Sequence, residues 1–351
     1  MKLREDLADL PPYVAGKLKP GAIKLASNEN PWGPSPLAME ALRDHMDRSH
    51  IYPDGGAQAL KSALSTHWGL PEAQFTVGNG SDEVLSLIAG AYIRPHDNAL
   101  IANHTFSEYQ FSVRLFGGTL KKVPLKDYTF DLEAFRQAVD AKTRMVFLCN
   151  PNNPTGTYFT HEALEGFLEK LSPEVLVVLD EAYVHFADAP DFPRAPELLA
   201  RFPNLLVMRT FSKVYGLAAL RVGYAVSSAN IARDLSVVRQ PFNVGSLSQA
   251  AAQAALGDTV FILNTVEHNR QERDRLTREL GRNLRVLPSQ ANFVAVHVKT
   301  DAAVVFQKLA EAGVTIRPLA SFGMPDWVRI SVGTPEENDF LLKAWKQLDL
   351  A

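Results

Sequence analysis

Cysteine is nearly absent from this chain, and its scarcity excludes two kinds of stabilising cross-link. The single cysteine among 351 residues, Cys149, excludes an intrachain disulfide and a cysteine-based zinc cluster. We interpret it as a core residue, because free cysteine usually packs as a small hydrophobic side chain. The histidines show no metal-ligand spacing, so we predict no metal site and expect surface or core roles for His45, His50, His67 and His185.

Long apolar runs and a strong excess of one charge are also absent. No run approaches the roughly 18 apolar residues that a membrane helix needs. The first ten residues carry scattered charges instead of the apolar region of a secretory signal. A formal net charge of −3 gives no electrostatic footprint for nucleic acid. We therefore expect a soluble cytoplasmic protein that binds small molecules.

What the chain does contain is a regular alternation of short apolar runs and helical patterns. The seven runs occupy residues 75–77, 99–102, 120–123, 144–149, 175–179, 205–209 and 222–226. Alternation of this kind implies a mostly parallel sheet covered by helices on both faces. We predict an α/β fold whose large domain is built on this seven-stranded sheet.

The pattern changes after residue 258, which suggests a second unit. A long, charge-laced helical stretch over 259–282 precedes shorter strand and helix patterns, typical of a small α+β domain. The first residues contain too many prolines, glycines and asparagines for a helix or central strand. We predict an N-terminal arm that joins the small domain (1–35), a large domain (36–249) and a small C-terminal domain (250–351).

Polar residues that follow the apolar runs mark the predicted site, because ligands of open α/β sheets bind outside the carboxyl ends of the strands. Ser81 and Asp82 begin a helix, whose N-terminus favours an anion. Asp180 closes an all-apolar run, where a carboxylate is costly without a cation or donor. Lys213 follows the next run, and we interpret it as placed there for its amine, since lysine is rarely buried. Taken singly, the helix start also fits ordinary capping, and Asp180 also fits a helix N-cap.

Together these residues suit a ligand with a phosphate, a cationic ring nitrogen and a carbonyl. Asp180 would pair with the ring nitrogen, and Lys213 would condense with an aldehyde. The groups predicted to bind the phosphate are the helix start at Ser81 and Asp82, the hydroxyls of Thr210 and Ser212, and the planar fork of Arg221. Pyridoxal phosphate has all three features.

Four motifs carry a resemblance to a known family. They are "NNPTG" (152–156), "DEAY" (180–183), "TFSK" (210–213) and "LRVGY" (220–224). In this order and spacing the chain resembles, along nearly its whole length, the fold-type I pyridoxal-phosphate-dependent aminotransferases. Two departures from the family pattern are Ala219, where glycine is frequent, and His104, where proline is common.

The resemblance implies further roles for individual residues. Asn153 and Tyr183 would hydrogen-bond the phenolic oxygen of the cofactor, and Phe106 would stack on its pyridine ring. Tyr52 would reach the cofactor phosphate of a neighbouring subunit, which requires a homodimer. The catalytic residues it implies are Lys213, which moves a proton at the substrate's α-carbon, Asp180, which keeps the ring nitrogen protonated, and Tyr183.

Within this family the chain looks most like the histidinol-phosphate aminotransferases. The likeness lies in "LASNENPWGPSP", "IYPDGG", "FTVGNGSDE", "VTIRPL" and "WVRISVGT". It implies that Arg317 and Arg329 hold the substrate phosphate, and that Arg329 holds the α-carboxylate of glutamate in the other half-reaction with 2-oxoglutarate. The substrate-binding residues it implies are Arg329, Arg317, Tyr13, Asn28, Glu29 and Asn153. On local grounds, Arg317 also fits an exposed loop arginine and Tyr13 an ordinary packed aromatic.

Three other functions remain open at this point. An aromatic amino acid aminotransferase would need a carboxylate clamp but no second arginine. A lyase that resembles threonine-phosphate decarboxylase would release carbon dioxide and need no keto acid. A non-catalytic binding module would have no reason to keep Lys213.

Overall fold

The computed structural model describes residues 2–8 and 21–348 of the chain. The α-helices in these ranges are α1 (Pro36–His45), α2 (Gln58–Trp68), α3 (Gly80–Tyr92), α4 (Glu108–Leu115), α5 (Leu132–Ala138), α6 (His161–Lys170), α7 (Ala195–Arg201), α8 (Ala229–Val238), α9 (Ser246–Gly257), α10 (Thr259–Leu280), α11 (Ala302–Glu311) and α12 (Pro335–Trp345). The strands are β1 (Ile23–Lys24), β2 (Phe75–Asn79), β3 (Asn98–Ala102), β4 (Thr119–Val123), β5 (Thr143–Cys149), β6 (Leu176–Asp180), β7 (Leu205–Thr210), β8 (Val222–Val226), β9 (Arg285–Val286), β10 (Phe293–His297), β11 (Val314–Thr315), β12 (Arg317–Pro318) and β13 (Trp327–Ser331).

A seven-stranded sheet in the order β2-β8-β7-β6-β5-β3-β4 forms the larger part of the molecule. The strands from β7 to β4 run parallel, and β8 is antiparallel to both of its neighbours. Each predicted apolar run lies in one of these strands, except that the run 175–179 begins one residue before β6. The predicted α/β fold with a mostly parallel seven-stranded sheet is confirmed.

Helices cover this sheet because both of its faces are apolar. Every residue of β6 is buried, as expected for a central parallel strand. Helices such as α3 and α6 turn one apolar side to the sheet, and Val84, Ile88 and Leu164 are fully buried there. Cys149 also lies buried in this core, as predicted.

A second, smaller sheet has the order β12-β13-β10-β9, with antiparallel pairing throughout. Apolar side chains of α10, α11 and α12 pack with it in a core of their own. The N-terminal segment joins this unit, since β1 pairs in parallel with β11. The predicted break at residue 249 lies within α9. The division into 1–35, 36–249 and 250–351 stays a proposal.

None of the helices in the described ranges combines the length and apolar character that spanning a bilayer demands.

Candidate active site

A cavity of about 600 Å³ opens where β5, β6 and β7 end. Most of the predicted site residues line it: Asn28, Glu29, Ser81, Asp82, Phe106, Asn153, Asp180, Tyr183, Thr210, Ser212, Lys213, Arg221, Arg317 and Arg329. Tyr13 lies outside the described residues. The structure therefore brings together at one sheet edge side chains that are spread over some 300 positions of the sequence.

Asp180 ends β6 at the bottom of this cavity and is buried. Its Oδ2 accepts a hydrogen bond from the hydroxyl of Tyr109 at 2.6 Å, and its Oδ1 accepts one from the backbone N–H of Ala182 at 3.0 Å. Burial raises the pKa of Asp180 to about 6, although both hydrogen bonds act against the rise. A cationic ligand group beside this carboxylate would bring the pKa of Asp180 back toward its ordinary value.

Lys213 lies three residues beyond the end of β7, with its amine in the same cavity. The amine donates to the backbone oxygen of Ser27 at 3.4 Å and lies 5.5 Å from the ring centre of Tyr183. Burial, reinforced by the positive charge of Arg329, lowers the pKa of Lys213 to about 8. At pH 7 about a tenth of the amine is therefore free to act as a nucleophile or base, far more than at an ordinary lysine.

The start of α3, the end of β7 and Arg221 converge on one side of the cavity. Arg221 has a left-handed backbone (φ +51°), and its guanidinium pairs with Asp82 at 2.9 Å. Gly80 and Gly223 permit this approach, because a side chain on the first would collide with Arg221 and one on the second with the backbone of Ser81. Helix N–H groups and a guanidinium thus face a common space suited to a phosphate.

The hydroxyls predicted for this phosphate site are also close together. Thr210 donates to the hydroxyl of Ser212 at 3.0 Å, and both residues are buried. The guanidinium of Arg221 reaches the Ser212 hydroxyl at 3.5 Å. All five predicted phosphate ligands therefore belong to one cluster.

Tyr183 and Asn153 occupy the side of the cavity next to the small sheet. The Tyr183 hydroxyl accepts a hydrogen bond from Asn28 at 3.0 Å, and burial raises the pKa of Tyr183 to about 12. Asn153 accepts one from Arg329 at 2.5 Å. Phe106 stands edge-on to Tyr109, with 5.6 Å between ring centres.

Arg317 and Arg329 are direct partners across the antiparallel pair β12–β13, and both line the cavity. Arg329 is buried, donates to the backbone oxygen of Ala26 at 2.8 Å, and leaves its Nε without a hydrogen-bond partner. Burial lowers the pKa of Arg329 to about 10, and the charge of Arg317 contributes. Like charges directly opposite each other destabilise a sheet. An anion bound between the two guanidinium groups would remove this cost.

Two contributions to the site escape analysis of the sequence. The backbone oxygens of Ala26 and Ser27 accept from Arg329 and Lys213, and carbonyl groups have no sequence signature. Tyr109 supports Asp180 from α4, which begins at Glu108. It has no sequence signal either, because Phe106 lies before this helix and the contact with Asp180 depends on tertiary packing.

Tyr52 lies apart from this cavity, on the surface. It is 81 % exposed and stacks on Phe242, with ring centres 4.9 Å apart. Its predicted role concerns the site of a second subunit and stays a prediction.

The charged and polar residues around the cavity fit the cofactor that the sequence suggests. Within residues 2–8 and 21–348, Asp180 has hydrogen-bond donors but no cationic partner. Lys213 supplies a partly deprotonated amine, and the cluster around Arg221 suits a phosphate. An acid, an amine and an anion site around one cavity match the ring nitrogen, aldehyde and phosphate of pyridoxal phosphate.

Comparison with known proteins agrees with this site. Residues 20–344 match the family of class I and II aminotransferases. The chain is 44% identical to a histidinol-phosphate aminotransferase of Geobacillus sp. (strain WCH70) over 99% of this chain and 98% of that protein. It is 47% identical to histidinol-phosphate aminotransferase 2 of Pseudomonas fluorescens (strain Pf0-1) over 97% of this chain and 95% of that one.

A solved structure shares the fold closely. Histidinol-phosphate aminotransferase from Sinorhizobium meliloti, in complex with pyridoxal-5'-phosphate, superimposes with a TM-score of 0.88 at 32% identity, covering 93% of this chain and 90% of that chain. Fold and site thus define a fold-type I transferase. The chain belongs to the class I and II aminotransferase family, and the predicted enzyme class, a transaminase, is confirmed.

Proposed function

We propose that the protein is a cytoplasmic, homodimeric, pyridoxal-phosphate-dependent histidinol-phosphate aminotransferase of histidine biosynthesis. It would convert L-histidinol phosphate and 2-oxoglutarate into imidazole acetol phosphate and L-glutamate. The names and near-complete coverage of the relatives at 44% and 47% identity support this choice within the family.

The observation that carries the substrate assignment is the pair Arg317 and Arg329. The two face each other across β12–β13 at the cavity, and Arg317 has no acidic partner in the described part of the chain. A single carboxylate clamp would need one arginine. Two opposed guanidinium groups suit a dianion, because each planar fork can bind two oxygens of a phosphate.

Bound pyridoxal phosphate would supply an aldehyde that condenses with amines and a protonated ring that withdraws electrons from the α-carbon of the bound substrate. Asp180 would hold the proton on the ring nitrogen. The backbone N–H groups of Ser81 and Asp82 at the start of α3, together with Thr210, Ser212 and Arg221, would hold the phosphate. Asn153 and Tyr183 would hydrogen-bond the phenolic oxygen, and Phe106 would cover one ring face.

Lys213 would act as the base that moves the proton of the substrate's α-carbon during conversion of the amine to the ketone. Its Nζ accepts the proton from the α-carbon of the amino donor and later returns one. A base works best when its pKa lies near the working pH, and burial together with Arg329 brings the pKa of Lys213 to about 8. Arg329 therefore binds the substrate anion and also tunes the base.

Exposed apolar side chains support the proposed homodimer. Tyr52, Ile51 and Phe242 are exposed by 81, 57 and 46 %, and Val260 and Leu263 of α10 by 71 and 63 %. Covering such side chains favours association. If a second copy covers these side chains, Tyr52 would reach the partner's phosphate site, as the family resemblance implies.

The test is turnover by the purified protein with added pyridoxal phosphate. We expect a yellow protein that forms glutamate from histidinol phosphate and 2-oxoglutarate, and acts weakly on histidinol, which lacks the phosphate. Colour without this turnover would contradict the substrate assignment alone. Carbon dioxide release without a keto acid would indicate a lyase.

Substitution of Arg317 separates the two aminotransferase assignments. R317A should raise KM for histidinol phosphate at least tenfold and leave KM for glutamate within about twofold, because Arg329 still binds the α-carboxylate. R282A, which removes an exposed arginine of the small unit, is the matched control. Equal losses of R317A with histidinol phosphate and an aromatic amino acid would point to an aromatic aminotransferase.

A further inference from the structure

Asn28 stands between the two units of the molecule, in the segment after β1. It is 1 % exposed and has a left-handed backbone (φ +55°). Its backbone N–H donates to the hydroxyl of Ser331 at 2.8 Å, and its backbone oxygen accepts from Asn292 at 3.0 Å. Its side-chain amide donates to the hydroxyl of Tyr183 at 3.0 Å. Hydrogen bonds therefore fix both the backbone and the side-chain amide of Asn28.

The network decides which way the Asn28 amide points. The Ser331 oxygen already accepts the Asn28 backbone N–H, and its own hydrogen goes to the Asn28 side-chain oxygen at 3.0 Å. The reversed amide would leave this buried hydroxyl hydrogen without an acceptor, which is costly. The NH₂ group of Asn28 must then face Tyr183.

This orientation has a consequence for Tyr183. Burial raises the pKa of Tyr183 to about 12, so its hydroxyl keeps a hydrogen at neutral pH. Because the oxygen accepts from Asn28, the hydrogen must point elsewhere, and Tyr183 lines the cavity. An acceptor in place of the Asn28 amide would draw that hydrogen away from the cavity.

We propose that Asn28 is a positioning residue that keeps the Tyr183 hydroxyl a hydrogen-bond donor toward the phenolic oxygen of the cofactor. The inference rests on the proposed function, and it adds a positioning role to the predicted contact of Asn28 with the substrate. Ser331 and Arg329 are alternate residues of β13, so the strand that carries the anion-binding arginine also orients this amide. One strand thus carries both the arginine for the substrate anion and the hydroxyl that orients Asn28.

The test is the pH titration of visible absorbance in the cofactor-loaded protein. A hydrogen-bond donor to the phenolic oxygen withdraws negative charge from that oxygen. The proton that titrates in the visible chromophore is then held less tightly, so the pKa of the chromophore falls. N28D replaces the amide donor by an acceptor, and we expect the apparent pKa of the chromophore to rise by about one unit or more. The same substitution in the Y183F background should shift the pKa by less than half as much, because there is no hydroxyl to redirect.

S331A is the second variant, since it removes the orienting hydroxyl without adding charge. We expect a smaller upward shift that disappears in the Y183F background. If thermal unfolding shows that N28D does not fold, S331A in the wild-type and Y183F backgrounds tests the inference instead. Equal shifts in both backgrounds, or no shift in either variant, would overturn the inference while the proposed function stands. A wild-type protein that stays colourless with pyridoxal phosphate would overturn both.

Discussion

The hydroxyl of Tyr109 donates to Oδ2 of Asp180 at 2.6 Å, inside the core below the cavity. The Tyr109 ring also stacks on Phe147, with 4.9 Å between ring centres, and it is completely buried. One side chain thus supports the carboxylate that would hold the proton of the cofactor ring. Because this hydrogen bond opposes the effect of burial, it keeps the pKa of Asp180 from rising further.

Tyr109→Phe tests this support. The ring contacts stay, and the carboxylate loses one of its two donors, so it becomes a weaker partner for a cationic ring. We expect about a tenfold loss in kcat/KM and weaker cofactor binding, since a hydrogen bond to a charged group contributes on the order of 1.5–3 kcal/mol. Steady-state kinetics and equilibrium dialysis measure the two effects. Tyr158→Phe, which removes a hydrogen bond to Asp191 at the surface, should change neither.

Asp180→Asn should separate activity from stability. Without a charge on residue 180 the ring nitrogen loses its partner, and proton abstraction from the substrate should slow severely in single-turnover measurements. Full activity would contradict the assigned role. In the cofactor-free protein the same variant should be more stable than wild type at pH 8, because a buried carboxylate with a pKa near 6 is destabilising when ionised.

The destabilising effect of the buried Asp180 carboxylate depends on pH. A folded-state pKa of about 6, above the ordinary value of 3.8, costs wild type on the order of 3 kcal/mol above pH 6, and the cost disappears as the pH falls toward 4. Denaturant unfolding at pH 8, 6 and 4.5 should show the advantage of the variant shrinking in that order. The exposed substitution Asp44→Asn, which leaves the buried carboxylate in place, is the control.

Much of the fold could be predicted because it rests on local patterns. All seven apolar runs became strands, since buried parallel strands need consecutive apolar residues. The pairing of β1 with β11 could not be predicted, because two-residue segments have no periodicity to detect. Only contacts between distant parts of the chain define the pairing of β1 with β11.

The site residues likewise differ in whether local sequence patterns can predict them. Asp180 and Lys213 were predictable because polar groups at the ends of apolar strands conflict with burial unless they serve a ligand. The support of Asp180 by Tyr109 joins residues 71 positions apart, so it depends on how α4 packs against the sheet. The assignment of Asn28 to the substrate pocket missed its contact with Tyr183 for the same reason.

The Lys213 amine should set the pH dependence of cofactor uptake. Only the free amine can attack an aldehyde, and burial together with Arg329 lowers its pKa from 10.5 to about 8. The association rate of pyridoxal phosphate with the cofactor-free protein should therefore rise with pH, with a midpoint near 8. Stopped-flow absorbance measures it. Arg329→Gln should move the midpoint upward by removing a repelling cation, whereas Arg282→Gln should not; a common midpoint above 9.5 would contradict this account.

Behind the cavity, Glu181 and Arg209 form a buried ion pair at 2.7 Å. The Arg209 guanidinium also lies 4.2 Å from the ring centre of Trp68, and Oε1 of Glu181 has no hydrogen-bond partner. Glu181→Gln leaves the arginine uncompensated in the core, which should cost about 3–5 kcal/mol of unfolding free energy. Chemical denaturation measures this loss. Glu133→Gln, which breaks an exposed pair on α5, should leave stability nearly unchanged.

Tyr52 offers a test of shared active sites. If it completes the phosphate site of a second subunit, Tyr52→Ala and Lys213→Ala should each abolish most activity, because one loses a phosphate contact and the other the amine. A mixed dimer of the two variants would hold one site with Lys213 from one chain and Tyr52 from the other.

Refolding an equimolar mixture of the two variants should therefore restore activity. Random pairing puts about half of the dimers in the mixed form, each with one complete site, so about a quarter of wild-type activity is expected. Each variant refolded alone is the control, and analytical ultracentrifugation verifies that dimers form. A mixture no more active than its parts would mean that Tyr52 does not act across a subunit boundary, and its exposed stack on Phe242 would need another explanation.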